Sequence, residues 1–248
     1  MRTIRLTVAY DGTDFAGFQY QTGQRTVQEV LEAAIARVTG TPTRIQGAGR
    51  TDAGVHATGQ VVSFTTENCL APPDLGRALN GVLPEDVAVK SAHDAAPGFH
   101  ARYAAVGRGY RYTIWNSVSP LIQGRRYAFQ WRRFLDLPAM NRVAAVLVGR
   151  HDFAAYGGSL RGRQRPTTTV RTLFRLHCWR DAERVYVDAA ANAFLPRMVR
   201  NLVGTLLQAG LGQITAAEAR ATLESRERSA TALTVPPVGL CLTRVWYD

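Results

Sequence analysis

The sequence predicts an α+β protein made of two ferredoxin-like, split βαβ-type domains whose antiparallel sheets abut. Three observations lead to this class. Apolar residues alternate at period two in some segments and recur at i, i+3, i+4 in others, the marks of half-buried strands and amphipathic helices. Over the first hundred residues these segments run strand, helix, strand, strand, helix, strand, which is the split βαβ order. A looser version of the same order fills the rest, and either half alone would bury a marginal core, so the sheets are expected to meet. With 248 residues, the division falls at 1–104 and 105–248.

Each element has a local reason. Ile4, Leu6, Val8 and Tyr10 share one face of a strand over Thr3–Tyr10, and Asp11-Gly12-Thr13-Asp14 ends it. Val27, Val30, Leu31, Ala34, Ile35 and Val38 make the apolar stripe of a helix. Thr26 with Glu29 forms a capping box at its start, and Gly40 stops it. Strands follow near Arg44–Gln46 and Gln60–Thr65, then a helix near Pro73–Asn80 opened by Pro72-Pro73, then a strand near Val87–His93. In the second half, Tyr110, Tyr112 and Ile114 alternate with polar neighbours in a strand, and Pro138–Val148 reads as a helix. Thr169–Trp179 and Arg184–Ala189 read as strands joined at Asp181-Ala182-Glu183. Pro196–Ala209 reads as a helix, Thr215 with Glu218 caps another, and Leu240–Tyr247 closes as a strand. Gly157–Pro166 fits neither pattern. It reads as a mobile basic loop, with Gly158–Gln164 a candidate for RNA contact against the alternative of a solvated surface loop.

Composition narrows the partners. The formal charge is +11, and 29 of the 30 basic residues are arginine, Lys90 being the exception. Guanidinium groups fork onto phosphates and stack on bases, so a polyanion is the expected partner. Cys69, Cys178 and Cys241 are far apart, and the five histidines are scattered, so neither a disulfide framework nor a metal site is expected. No cofactor motif is present. The first residues alternate polar with apolar and no apolar run is long enough to span a bilayer, which makes the cytoplasm the expected location and a membrane role unexpected.

One segment carries chemistry. Gly47-Ala48-Gly49-Arg50-Thr51-Asp52-Ala53-Gly54-Val55-His56 holds three glycines around an arginine and an aspartate. Glycine permits sharp turns and close approach of a ligand. A carboxylate beside a guanidinium stays ionised and can act as nucleophile or base. On spacing alone a structural Arg–Asp pair is the commoner explanation, and a phosphate loop is excluded, since no Gly-Lys-Ser/Thr follows.

The string resembles the signature of the tRNA pseudouridine synthase A family, and other segments extend the likeness in order along the chain. Tyr10-Asp11-Gly12-Thr13-Asp14-Phe15-Ala16-Gly17-Phe18-Gln19 resembles the family's opening box. Phe99-His100-Ala101-Arg102 and Arg108-Gly109-Tyr110-Arg111-Tyr112 resemble its central one, and Gly149–Phe153 with Arg171-Thr172 the next. Ala193-Phe194-Leu195-Pro196-Arg197-Met198-Val199-Arg200 and Pro237-Val238-Gly239-Leu240 resemble its late helix and last strand. The resemblance implies Asp52 as nucleophile and Tyr110 as the ring that stacks on the target uracil. It implies Arg50 and Arg200 as basic site residues and Leu240 as an apolar wall. It further implies a cofactor-free, cytoplasmic homodimer that isomerises uridines 38, 39 and 40 of the tRNA anticodon stem-loop. Phe18 departs from the family's usual Trp. An aromatic is kept, and only an indole hydrogen bond is at stake.

Three rivals stay open on the residues alone. A non-catalytic RNA-binding module explains the charge but leaves the embedded carboxylate without a role. A hydrolase could pair Asp52 with His56 as acid and base. An assembly protein could use the charge in subunit contacts.

Overall fold

The computed structural model describes residues 1–158, 168–227 and 233–248, and these fall into two compact units, Met1–Val106 with Cys241–Asp248, and Gly107–Leu240. In the first unit β1 (Arg2–Tyr10) buries Ile4, Leu6, Val8 and Tyr10 on the face that alternation predicts. It leads to α1 (Val27–Thr39), whose capping box forms as read: the Thr26 hydroxyl accepts the Glu29 amide, and Gly40 closes the helix in the left-handed region. Next come β2 (Gln46–Gly47), β3 (His56–Thr66), α2 (Pro72–Asn80) and β4 (Val87–Ala95). The strand order β4-β1-β3, with β2 on the far edge of β3 and every pair antiparallel, is the split βαβ arrangement.

The final strand, β10 (Leu240–Tyr247), departs from the sequence reading. The division at 104/105 puts it in the second half, yet from Cys241 it groups with the first unit. It also runs parallel to β3, so this sheet is mixed rather than purely antiparallel: Cys241 pairs with His56 and Leu242 with Ala57. The reason lies in β2. That strand is two residues long and satisfies β3 only at Val62 and Ser63, which leaves the other end of the same edge open to β10. The Tyr247 hydroxyl donates to the Ala101 carbonyl at 2.8 Å, and Val245 and Tyr247 pack on Ala48, Val61 and Ala101. Pairing across so long a separation leaves no local trace.

The second unit holds β5 (Ala105–Trp115, from Gly107 onward), β6 (Phe129–Gln130), α3 (Leu137–Leu147), β7 (Gly149–Asp152), β8 (Val170–Asp181), β9 (Arg184–Ala191), α4 (Met198–Gly210) and α5 (Ala216–Ser225). Its strands order β5-β9-β8-β7, all antiparallel, while β6 lies parallel beside β5. Thus β5 and β8 are parallel with β9 between them and α3 in the connection, the split βαβ unit again. The apolar core gathers Tyr112, Ile114, Val185, Val187 and the almost wholly buried α4. The strands β6 and β7 escaped the sequence reading because two to four residues carry no measurable period.

Both units protect a strand edge in the same way. Asn80, at the end of α2, donates to the Val89 carbonyl and accepts the Val89 amide at 2.9 and 2.7 Å. Asn141 on α3 does the same to Cys178, at 2.8 Å each. A carboxamide copies the donor–acceptor pair of a neighbouring strand and blocks pairing with another chain there. Among the described residues, no helix is long and apolar enough to cross a membrane. Of the basic Gly157–Pro166 segment, residues 159–166 lie outside the described residues.

Candidate active site

Asp52 stands in the hairpin connection between β2 and β3, on a turn closed by the Val55 amide donating to the Asp52 carbonyl at 3.1 Å. Gly54 supplies the positive φ, +75°, that this turn needs. Thr51 and Val55, at the two sides of the turn, face inward, while Asp52 is half-buried and Ala53 exposed. Thr51 and Val55 are 6% and 3% exposed. The Thr51 hydroxyl meets the buried Tyr10 hydroxyl at 2.8 Å, and the Gln60 carboxamide, 0% exposed, donates to the Gly49 carbonyl at 2.8 Å. Burial raises the pKa of Tyr10, so its hydroxyl stays protonated.

The opening loop, residues 11–18, clamps this turn from the other side. The Phe18 amide donates to the Thr51 carbonyl at 3.0 Å, and the Gly54 amide to the Phe15 carbonyl at 3.4 Å. A Cβ on Gly12 would lie 2.0 Å from the Val55 carbonyl oxygen, and one on Gly17 (φ +105°) 2.9 Å from that of Thr51. The glycines therefore serve backbone-to-backbone approach. Gly47 does the same for a side chain: its missing Cβ makes room for the ring of Phe18, which is 2% exposed.

His56 begins β3 and is 4% exposed. Its Nδ1 lies 3.0 Å from the Gly12 amide and 3.1 Å from the Asp11 carboxylate. Unprotonated, it accepts from Gly12; protonated, it pairs with Asp11. Either state ties β3 to the opening loop, a structural duty that weakens the reading of His56 as an acid–base partner. Arg50 is exposed on the same connection.

Tyr110, Arg200 and Leu240 belong to the second unit. Tyr110 is half-buried on β5 opposite Ala189, and Phe194 meets its ring edge-on at 5.3 Å. Phe194 follows a turn fixed by Asn192, whose carboxamide oxygen accepts the amides of Thr172 and Ala193 at 2.9 Å each. The Asn192 carbonyl takes the Arg108 guanidinium at 2.7 Å. Arg197 begins α4 at φ +59°, which turns the chain into the helix that carries Arg200.

Arg200 donates through Nε to the Val235 carbonyl at 2.7 Å, and the Val235 amide returns a bond to the Arg200 carbonyl at 3.4 Å. The segment 233–236 can lie this close because Gly204 has no Cβ; one there would sit 1.6 Å from the Leu233 carbonyl oxygen. The Tyr112 hydroxyl donates to the Pro236 carbonyl at 2.8 Å. Burial raises its pKa, partly offset by the charge of Arg200. Leu240, 6% exposed, follows a short turn in which Gly239 abuts the Thr113 carbonyl and the Tyr112 ring.

Sequence reasoning missed the supporting residues Gln60, Asn192 and Phe194. Gln60 and Asn192 carried no signal, and Phe194 is visible only as part of a box. Among the described residues, no three His, Cys, Asp or Glu side chains cluster to hold a metal. The geometry can present one carboxylate on a rigid turn, and separately an aromatic face with a guanidinium held on a helix.

Comparison with known proteins gives a consistent answer. A family model described as tRNA pseudouridine synthase matches residues 6–104 and 143–248. The chain is 47% identical to a tRNA pseudouridine synthase A of Roseiflexus sp. (strain RS-1), covering 100% of this chain and 91% of the relative. It is 45% identical to one of Methylobacterium sp. (strain 4-46), covering 100% and 98%. It is 40% identical to one of Thermoanaerobacter sp. (strain X514), covering 100% of both.

Proposed function

Since the chain belongs to the tRNA pseudouridine synthase family, we propose that it isomerises uridine to pseudouridine at positions 38, 39 and 40 of the tRNA anticodon stem-loop, with Asp52 as nucleophile. The observation that carries this reading is the setting of Asp52. Its carboxylate is half-exposed on a turn whose flanking residues, Thr51 and Val55, are buried and hydrogen-bonded. A nucleophile needs such a fixed but accessible position.

The reaction breaks the bond from uracil N1 to C1′ and forms one from C5 to C1′. C5 loses a proton and N1 gains one, so nothing is oxidised and no cofactor is called for. Asp52 can attack C1′ or C6, or take the C2′ proton on the way to a glycal. Tyr110, with Phe194 against its edge, offers a flat face to a base that has left its stack. Arg50 and Arg200 supply positive charge for the RNA backbone, and Leu240 an apolar wall. The net charge of +11 gives grip on phosphates regardless of sequence. The working form is a homodimer in the cytoplasm.

The test is incubation of purified protein with uridine-containing anticodon stem-loop transcripts, followed by mapping of pseudouridine. Asp52→Ala should abolish product while tRNA affinity stays within a few-fold; turnover in that variant would remove Asp52 as nucleophile. Tyr110→Ala should lower kcat/KM by about 100-fold, an effect on the order of base extrusion plus lost stacking. An equal loss of tRNA affinity would show Tyr110 to be a general binding residue instead.

A further inference from the structure

The stretch of the second unit between β5 and α3, residues 116–136, has no part in the chemistry above. From Asn116 to Leu135 it contains no Asp or Glu but holds Arg125, Arg126, Arg132 and Arg133, all exposed. The same stretch holds large apolar side chains in unusual exposure: Val118 77%, Ile122 75%, Tyr127 51% and Phe134 81%. No described carboxylate pairs with Arg125, Arg132 or Arg133.

The backbone beneath this surface is fixed. Asn116 donates to the carbonyls of Trp131 and Arg133 at 3.0 and 2.7 Å and accepts Arg180 at 2.8 Å. Gln130 accepts the Leu121 amide at 3.0 Å and donates to the Ser117 carbonyl at 2.7 Å. The Trp131 amide donates to the Trp115 carbonyl at 2.8 Å, and the Tyr127 amide closes a turn onto Gly124 at 2.9 Å. Ala128 and Leu135 point inward, 7% and 1% exposed, and Phe129 packs edge-on against Tyr112. Inward anchors therefore alternate with outward Arg-Arg-Tyr and Arg-Arg-Phe triplets. A loose loop would fold its rings away from water; this one is built to hold them out, at little further ordering cost on binding.

We propose that residues 116–136 form an RNA-contact face. Arg125, Arg126, Arg132 and Arg133 take phosphates, and Tyr127 and Phe134 take the faces of unpaired bases. The inference rests on the chain being a tRNA-modifying enzyme and adds a surface to its RNA contacts. Guanidinium groups with interleaved aromatics are the chemistry that grips single-stranded or looped RNA. A second copy of the chain fits poorly. A two-fold contact centred on the patch would bring Arg125, Arg132 and Arg133 from both copies together, with no Asp or Glu in residues 116–135 to offset them.

The experiment compares wild type with two variants, Arg125→Gln/Arg132→Gln/Arg133→Gln and Phe134→Ser, in tRNA binding across a salt series, steady-state pseudouridine formation and sedimentation equilibrium. The arginine variant should weaken tRNA binding by about tenfold or more and make the log–log salt dependence shallower by about two to three. Its cost should fall on KM more than on kcat, and Lys at the same three positions should restore the slope. Phe134→Ser should weaken binding by about fivefold or more with the slope unchanged. Unchanged affinity and slope in folded variants overturn the proposal, as does a loss of self-association with RNA affinity intact, which makes the face a protein interface. If the wild type binds tRNA but makes no pseudouridine, the assigned activity fails while the binding comparison still decides this surface.

Discussion

The turn that carries Asp52 and the helix that carries Arg200 are both locked by a neighbouring segment, but the locks differ. Around Asp52 the partners are polar and buried: Tyr10 with Thr51, Gln60 with Gly49, His56 with Gly12. Around Arg200 a single segment, 233–236, lies across a helix packed mostly through apolar side chains, with buried Asn201 as its polar anchor, donating to the Tyr156 carbonyl and accepting the Thr234 hydroxyl at 2.6 Å each. In both places a glycine lets backbone touch backbone, Gly12 against Val55 and Gly204 against Leu233. A buried polar network fixes direction as well as position, because each bond is lost if the donor rotates. Apolar packing fixes position alone. A reacting carboxylate needs the first kind of support, and a guanidinium that meets a mobile polyanion can work with the second.

Four substitutions test this contrast. The largest effects should come from the glycines. Gly12→Ala and Gly204→Ala each force a Cβ into a carbonyl, and each should cost about 3 kcal/mol or more of stability, read by denaturant unfolding. Activity should fall with both, but tRNA affinity should suffer more in Gly204→Ala, where the partner of Arg200 is displaced. Equal loss of affinity in the two would erase the distinction.

Thr51→Val is next. It removes the shorter of two hydrogen bonds to the Tyr10 hydroxyl, the other coming from Gln60 at 3.4 Å, and should cost about 1–3 kcal/mol. If the polar network aims Asp52, kcat should drop while KM holds. A change in KM alone would mean that the network supports substrate binding rather than chemistry.

The smallest effect is silent at neutral pH. Burial pushes the Cys178 thiol and the Tyr156 hydroxyl, both in the second unit, up to about 12. Each folded-state value lies above the unfolded one, so the stability these groups confer is intact below the unfolded pKa. It is lost as pH rises toward the folded value, because only the unfolded chain then gives up its protons. Stability should decline from about pH 9 upward, and Cys178→Ala should make that decline less steep by up to one proton. An unchanged slope in unfolding titrations would show that Cys178 does not contribute.

What the sequence revealed and what it hid divide along physical lines. Helix ends were legible because a cap is local: Thr26 with Glu29 and Thr215 with Glu218 act within a single turn, and both boxes form. The alternation in β1 was legible because one face is buried along its whole length. The site box stood out in the sequence, and its glycines were read as allowing sharp turns and close approach of a ligand; Gly54 does serve the turn. At Gly47 and at Gly12 and Gly17 of the opening loop, the space they leave is taken by other parts of the protein. The supports of the site were hidden because Gln60 and Asn192 act on backbone far away in sequence or in a turn without periodicity. The place of β10 was hidden because it depends on a vacancy left by a two-residue strand.

That late strand sets a timetable for synthesis. The edge of β3 beside His56 and Ala57 is finished only by residues translated after the entire second unit. At ribosomal speeds of about 5–20 residues per second, this leaves the first unit unfinished for on the order of ten seconds. A nascent chain therefore carries Asp52 on an incomplete scaffold until β10 has emerged, and that carboxylate gains its full surroundings only after the second unit has been made.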